Sequence, residues 1–164
     1  MAEVANSKLY YENEGIQQLK DALVVLVKTE WNASIVDELE NGCIKVLKNH
    51  NITFTTITVP GAVEIPFAIQ SCWNARRNAS AFIALACVIR GGTPHFDYVC
   101  QSVTYGVSQL NINLPVPTIF GVLTVDDKQQ ALDRIGGKHG HKGEEAGLTA
   151  IKMISINQQL KNVD

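Results

Sequence analysis

The chain lacks a long uncharged apolar run, and its amino end, polar from Met1 to Gly15, has no basic stretch followed by an apolar one. Membrane insertion and export are therefore both disfavoured, and a cytoplasmic location is expected. It also lacks an excess of either charge, since 14 Lys and Arg stand against 16 Asp and Glu for a net charge of -2. A nucleic-acid binder needs Lys and Arg gathered on one face, so nucleic acid is not expected as a partner. The four cysteines, Cys43, Cys72, Cys87 and Cys100, form no C-x-x-C pair and sit among apolar neighbours. They read as reduced core residues rather than disulfides or zinc ligands. No G-x-G-x-x-G follows the first strand and no G-x-x-x-x-G-K-[ST] occurs, which leaves dinucleotide and nucleoside triphosphate readings without their fingerprints. No G-x-S-x-G supports a serine nucleophile. His139 and His141 stand in a glycine loop without a nearby cysteine or carboxylate cluster, so they read as loop residues and no metal is expected.

What is present is a core. Hydrophobic residues make up 46% of the 164 positions and charged residues 18%, a balance that fits one folded domain over residues 1–164. Ala22 to Lys28 is a continuous apolar run of the kind buried on both faces of a sheet. Thr53 to Val59, Ala81 to Arg90 and Pro117 to Thr124 read the same way by length and β-branched content. Between these runs the period becomes helical. Ile35, Leu39, Cys43, Val46 and Leu47 share one face; so do Ala62, Ile65, Ile69, Cys72 and Trp73, and so do Phe96, Val99, Cys100, Val103, Val107 and Leu110. Two more helices are expected, from about Asp126 to Ile135 and from about Lys142 to Leu160, with a glycine-rich break at Gly136–Gly140. Alternating strand and helix imply right-handed crossovers and an α/β fold. The expectation is a three-layer α/β/α sandwich around a four-stranded, mostly parallel sheet.

Ligands of such sheets bind beyond the carboxyl ends of the strands, where the distinctive residues of this chain gather. Gly91-Gly92-Thr93-Pro94 is a strand-to-helix turn, with Thr93 suited to the N-cap and Pro94 to the first helical position. It reads either as an anion site at a helix start or as a tight turn that needs glycine. His95 would sit in the first turn, where the helix dipole opposes imidazolium formation, so it is either a proton carrier or an inert surface residue. Trp31 is either core or a stacking surface for a planar heterocycle. Arg134 is either a phosphate cation or a solvated helix charge.

Four ordered segments then carry a family likeness: Pro60-Gly61-Ala62-Val63-Glu64-Ile65-Pro66, Val88 to Phe96 (VIRGGTPHF), Phe120-Gly121-Val122-Leu123-Thr124, and Ala131 to Gly143 (ALDRIGGKHGHKG). From about Leu23 to Asn157 the chain resembles the lumazine synthases. The resemblance implies a flavodoxin-like fold and the condensation of 5-amino-6-(D-ribitylamino)uracil with 3,4-dihydroxy-2-butanone 4-phosphate, the penultimate step of riboflavin synthesis. By it, Trp31 stacks on the pyrimidine, the backbone around Ala62, Val63, Val88 and Ile89 holds ring and ribityl chain, and Glu64 hydrogen-bonds ribityl hydroxyls. Gly92, Thr93 and Arg134 would hold the phosphate, His95 would move protons, Lys142 would lie near the ligand, and Phe120 would reach a neighbouring subunit's site. Many members carry an acidic residue or alanine where this chain has Gly92, and asparagine where it has His141.

The chemistry so implied uses the substrate's own amine as nucleophile, so the protein must supply positioning and a proton carrier, and no metal or redox cofactor. The resemblance also implies homo-oligomers. The N-terminal segment around Lys8 to Tyr11 would add a strand to a neighbour's sheet, and five subunits would form a ring. In the family, closure of twelve rings into a 60-subunit shell depends on the turn before the last helix, where pentamer-only members tend to carry an insertion, and Gly136 to Gly143 shows none. Two other readings stay open on the residues alone: a non-catalytic flavin- or lumazine-binding module, and a riboflavin synthase of the archaeal kind.

Overall fold

The computed structural model describes residue 19 and residues 21–162; the expected N-terminal strand around Lys8 to Tyr11 lies outside them. The described chain runs β1 (Leu23–Thr29), α1 (Ala33–Asn49), β2 (Thr53–Val59), a single 3-10 turn (Ala62–Glu64) and α2 (Ile65–Arg76). It continues through β3 (Ala81–Ile89), α3 (His95–Asn113), β4 (Thr118–Val125), α4 (Lys128–Leu132), β5 (Ile135–Gly137), β6 (Gly140–His141) and α5 (Lys142–Lys161). β1 to β4 form one parallel sheet in the order β2-β1-β3-β4, so the expected four-stranded flavodoxin-like sheet is present. β3 lies between β1 and β4 with helices over both faces, and its residues 81–87 are all buried. That is why it reads as unbroken apolar sequence rather than alternation.

Successive strand residues face opposite layers. Val24, Leu26, Ile83 and Leu85 point into a core closed by α1 and α5, whereas Val25, Val27, Phe82 and Ala84 point into one closed by α2 and α3. The α1 stripe predicted from Ile35 to Leu47 is buried throughout. α5 approaches α1 closely because Gly143 brings its backbone against that of Leu39, and the Cys43 thiol donates to the Gly143 carbonyl at 3.0 Å. At the sheet's amino end Asn111 staples α3 to β4, donating to the Thr118 carbonyl and accepting from the Thr118 N–H, both at 2.8 Å. The α2–β3 turn at the same end exposes Arg77 and Asn78.

One element differs from expectation. The helix expected from about Asp126 to Ile135 is only the five residues of α4, capped by Asp127, whose carboxylate accepts from the Gln130 N–H at 2.9 Å. The chain then turns into the β5–β6 ribbon, where the expectation is only a glycine-rich break. Gly136 and Gly140 take positive φ of 108° and 80°, a conformation that side chains disfavour, and the reversal replaces further helix. Among the described residues no helix is long and apolar enough to cross a membrane.

Candidate active site

The chain leaves β1 toward β2 on one side and returns to β3 on the other, so the crevice between the carboxyl ends of β1 and β3 is the topological switch point. A cleft of about 520 Å³ opens there, a size suited to a small heterocyclic ligand. Its walls come from three loops. Thr29 ends β1, and Trp31 and Asn32 follow it; Gly61 to Glu64 follow β2; Cys87 to Ile89 end β3, with His95 and Val99 of α3 closing the rim.

Trp31 is 74% exposed, which rules out the core reading and leaves an indole face available for stacking. Its backbone is nonetheless held. Asn32 adopts the left-handed conformation (φ 56°), so the chain passes from strand to helix at one residue. Its carbonyl accepts from Ile35 and Val36, and its side-chain amide donates to the Cys87 carbonyl at 2.8 Å, tying the β1 loop to the end of β3. Across the cleft Glu64 ends the 3-10 turn with an exposed carboxylate, and its Oε2 lies 2.9 Å from where a side chain on Gly61 would begin. Burial pushes the Cys87 thiol up to about 11, so no thiolate is available in this cleft near neutral pH.

His95 is exposed and is the first residue of α3. Pro94 occupies the cap position and Thr93 precedes it, one residue earlier than expected, yet the Thr93 hydroxyl still accepts from the His95 N–H at 3.4 Å. Gly91 and Gly92 have no positive φ, and a side chain on either would meet nothing within 4 Å. A turn that merely needed glycine would show one or the other. What the two glycines provide is open space and bare backbone beside the start of α3.

The remaining expected residues lie elsewhere on the chain. Arg134 and Lys142 line a second cleft of about 280 Å³ past the end of β4, together with Lys138, His139 and Asp133. Phe120 and Lys142 line a third, of about 400 Å³, along the outer side of β4. In it the Lys142 ammonium pairs with Glu145 at 3.0 Å, and the other Glu145 oxygen and the Thr118 hydroxyl are buried without partners. A hydrogen bond from Gln129 and the Lys138 ammonium hold the Asp133 carboxyl below its usual range.

A family model for 6,7-dimethyl-8-ribityllumazine synthase matches residues 21–158, most of the chain and all three clefts. The chain belongs to this lumazine synthase family. Proteins named 6,7-dimethyl-8-ribityllumazine synthase are among its relatives. The one from Porphyromonas gingivalis is 43% identical over 152 residues, covering 90% of this chain and 93% of its own. That from Bacteroides fragilis is 46% identical over 134 residues (80% and 93%), and that from Bdellovibrio bacteriovorus 44% over 138 (84% and 76%).

Of the residues that the family likeness singles out, Trp31, Ala62, Val63, Glu64, Val88, Ile89 and His95 thus share one cleft, with Gly92 and Thr93 on the loop beside it. Phe120, Arg134 and Lys142 do not join them within this chain. Sequence reasoning gave no role to Gly61 or to the amide of Asn32, although both stand at the expected strand mouths, and missed Lys138 and His139 as companions of Arg134. An asparagine at a strand-to-helix switch was the available signal for the second. His141, ambiguous in sequence, has a structural role: its Nδ1 accepts from the Glu144 N–H at 3.4 Å to cap α5, and its ring fills the space over Gly42.

Proposed function

We propose that this chain condenses 5-amino-6-(D-ribitylamino)uracil with 3,4-dihydroxy-2-butanone 4-phosphate to 6,7-dimethyl-8-ribityllumazine, releasing phosphate and water, as a cytoplasmic transferase of riboflavin synthesis. The observation that carries the reading is the switch-point cleft, where an exposed indole faces the Ala62–Glu64 turn and the end of β3, with a histidine and a bare glycine turn at its rim. The pyrimidine stacks on Trp31, the backbone of Ala62, Val63, Val88 and Ile89 holds it, and Glu64 accepts from ribityl hydroxyls. The sugar phosphate sits at Gly92 and Thr93, with its anion toward the start of α3 and a cation from Arg134. Amine attack on the ketone gives an imine; loss of phosphate, ring closure and dehydration follow, each moving a proton that His95 can carry. Holding both substrates in register supplies much of the acceleration, in ideal cases roughly 7 kcal/mol or more.

Because Arg134 and Phe120 lie outside the His95 cleft of their own chain, the complete site is built from two copies, one bringing the cleft and the other Phe120, Arg134 and Lys142. Five copies then close a ring in which every chain gives and receives, and the short Gly136–Gly143 connection favours assembly of twelve rings. The test is direct. Purified protein given both substrates should form the fluorescent lumazine with EDTA present; two intact substrates and no product would end the proposal.

A further inference from the structure

Arg90, the residue that follows β3, touches neither substrate in the reading above, yet its side chain meets three partners around the active loop. Its Nε donates to Asp126 at 2.8 Å and a terminal nitrogen donates to Asp97 at 3.2 Å. Its guanidinium carbon stands 4.1 Å from the centre of the Phe96 ring. Phe96 and Asp97 directly follow His95, so one side chain from the strand side of the Gly91–His95 loop grips the helix side of the same loop. We propose that Arg90 is a positioning residue, a clasp that closes the Gly91–His95 loop and joins it to the turn that leads to Arg134.

The loop has little else to fix it. A side chain at Gly91 or Gly92 would meet nothing within 4 Å, and glycine carries the largest backbone freedom to be restrained. Internally it is braced by the Thr93 hydroxyl and by the Asp97 N–H donating to the Pro94 carbonyl at 3.0 Å. Both bonds shape the start of α3 without tying it to the sheet. Arg90 makes that connection, and its own N–H donates to the Val125 carbonyl at 2.9 Å, so its base is part of the β3–β4 pairing. On the other side Asp126 belongs to the junction that opens α4: its N–H donates to the Gln130 side chain at 3.1 Å, and Asp127 caps the same helix. Arg134 lies two residues beyond the end of α4. One guanidinium therefore spans the half-site a chain keeps and the half-site it offers.

Arginine suits this task where lysine does not, because a planar fork can pair with two carboxylates while one face lies on an aromatic ring. All three charged groups are substantially exposed, Arg90 by 44%. Exposed pairs add little to global stability. Their contribution is then to local geometry, and that separates a clasp from a general stabilising contact.

The inference rests on the proposed activity, and the experiment keeps the two apart. Wild-type protein that makes no lumazine would defeat the activity; active wild type beside a fully active variant would defeat only the clasp. Arg90→Met keeps the aliphatic stem over Phe96 and removes the fork. It should shift the melting temperature by no more than about 2 °C. Turnover should fall roughly 10- to 100-fold, the scale of an ~1 Å misplacement of reacting groups. KM for the ribitylamino-pyrimidine should stay within about twofold. Asp97→Asn should mainly lower kcat, and Asp126→Asn should mainly raise KM for the sugar phosphate; in the Arg90→Met background neither should add more than about twofold. Arg90→Lys, retaining one ion pair, should recover part of the turnover. Wild-type kinetics in Arg90→Met would overturn the proposal. So would an activity loss matched by a melting shift beyond about 5 °C, equal rises in both KM values, or additive effects of the aspartate changes on top of Arg90→Met; if Arg90→Met does not fold, the two aspartate variants carry the test by their kcat against KM split.

Discussion

Replacing Gly143 by alanine tests whether the α1–α5 crossing is set by backbone contact. A Cβ at this position would overlap the Leu39 carbonyl oxygen and lie 2.8 Å from its carbonyl carbon and 3.0 Å from its Cα. These are main-chain atoms of α1, so no rotamer change relieves the overlap and the helices must separate, by roughly an ångström for ordinary packing to return. Overpacking of this kind costs about 1–3 kcal/mol, and rigid backbone on the receiving side places the cost near the top of that range. Against it stands about 1 kcal/mol from the better helix propensity of alanine. A net loss of about 2 kcal/mol corresponds to a fall of roughly 4–8 °C in melting temperature for a chain of this size. Separation also strains the Cys43–Gly143 hydrogen bond and the seat of the His141 ring over Gly42. Gly147→Ala is the matched control, because its nearest obstacles are Val46 side-chain atoms at 3.1 and 3.2 Å and the Cys43 carbonyl at 3.3 Å, distances that small movements accommodate. Thermal or urea unfolding of both variants at one protein concentration reads the difference, since assembly makes stability concentration-dependent. If Gly143→Ala matched wild type, or Gly147→Ala cost as much, backbone contact would not be what sets this crossing.

His95→Ala should lower turnover about 10- to 1000-fold, within the range for a general acid–base group, while leaving sugar-phosphate binding largely intact; full activity across pH would remove the proton-carrying role. Arg134→Ala should chiefly raise KM for the sugar phosphate, as loss of a charge-assisted contact does, and an unchanged KM would place the anion anchor on other residues. At alkaline pH the chain should lose stability through its thiols. Burial pushes Cys43 up to about 12 and Cys87 up to about 11, from an ordinary value near 9.0. The folded state keeps protons that the unfolded chain releases, so this contribution is complete below pH 9 and drains away as pH rises toward 12. Urea midpoints should fall between pH 8 and 10.5, less steeply in Cys43→Ala; equal midpoints at the two pH values would contradict the burial argument.

Most of the sheet was legible because its strands announce themselves by composition. Thr53–Val59 has the bounds expected of it, and the other three strands begin and end within a residue or so of the sequence reading. α4 misled because Lys128 to Arg134 keeps helical composition while Gly136 and Gly140 reverse the chain through backbone conformations, which side-chain periodicity does not register. At the site, position relative to strand ends located Trp31, Glu64 and His95. Composition alone left open whether Trp31 was core, since an indole after an apolar strand reads the same buried or bare; exposure decided it. The amide of Asn32 and the clasp of Arg90 were hidden for another reason. Their meaning lies in partners 55, 7 and 36 residues away, and such pairings exist only once the chain is folded.

A parallel sheet also sorts mutational freedom. With the four strands of the main sheet running the same way, the loops at one end of it carry the chemistry, and those at the other only reverse direction. The exposed Arg77–Asn78 turn belongs to that second set, with Asn111 bracing the strand start close by. Lengthening a surface loop costs only about 0.6 kcal/mol per doubling, so this pole can accept a foreign peptide with the clefts untouched. In a ring or shell each copy would repeat that peptide, making the silent end of the fold a place for grafting new functions onto an enzyme that keeps its own.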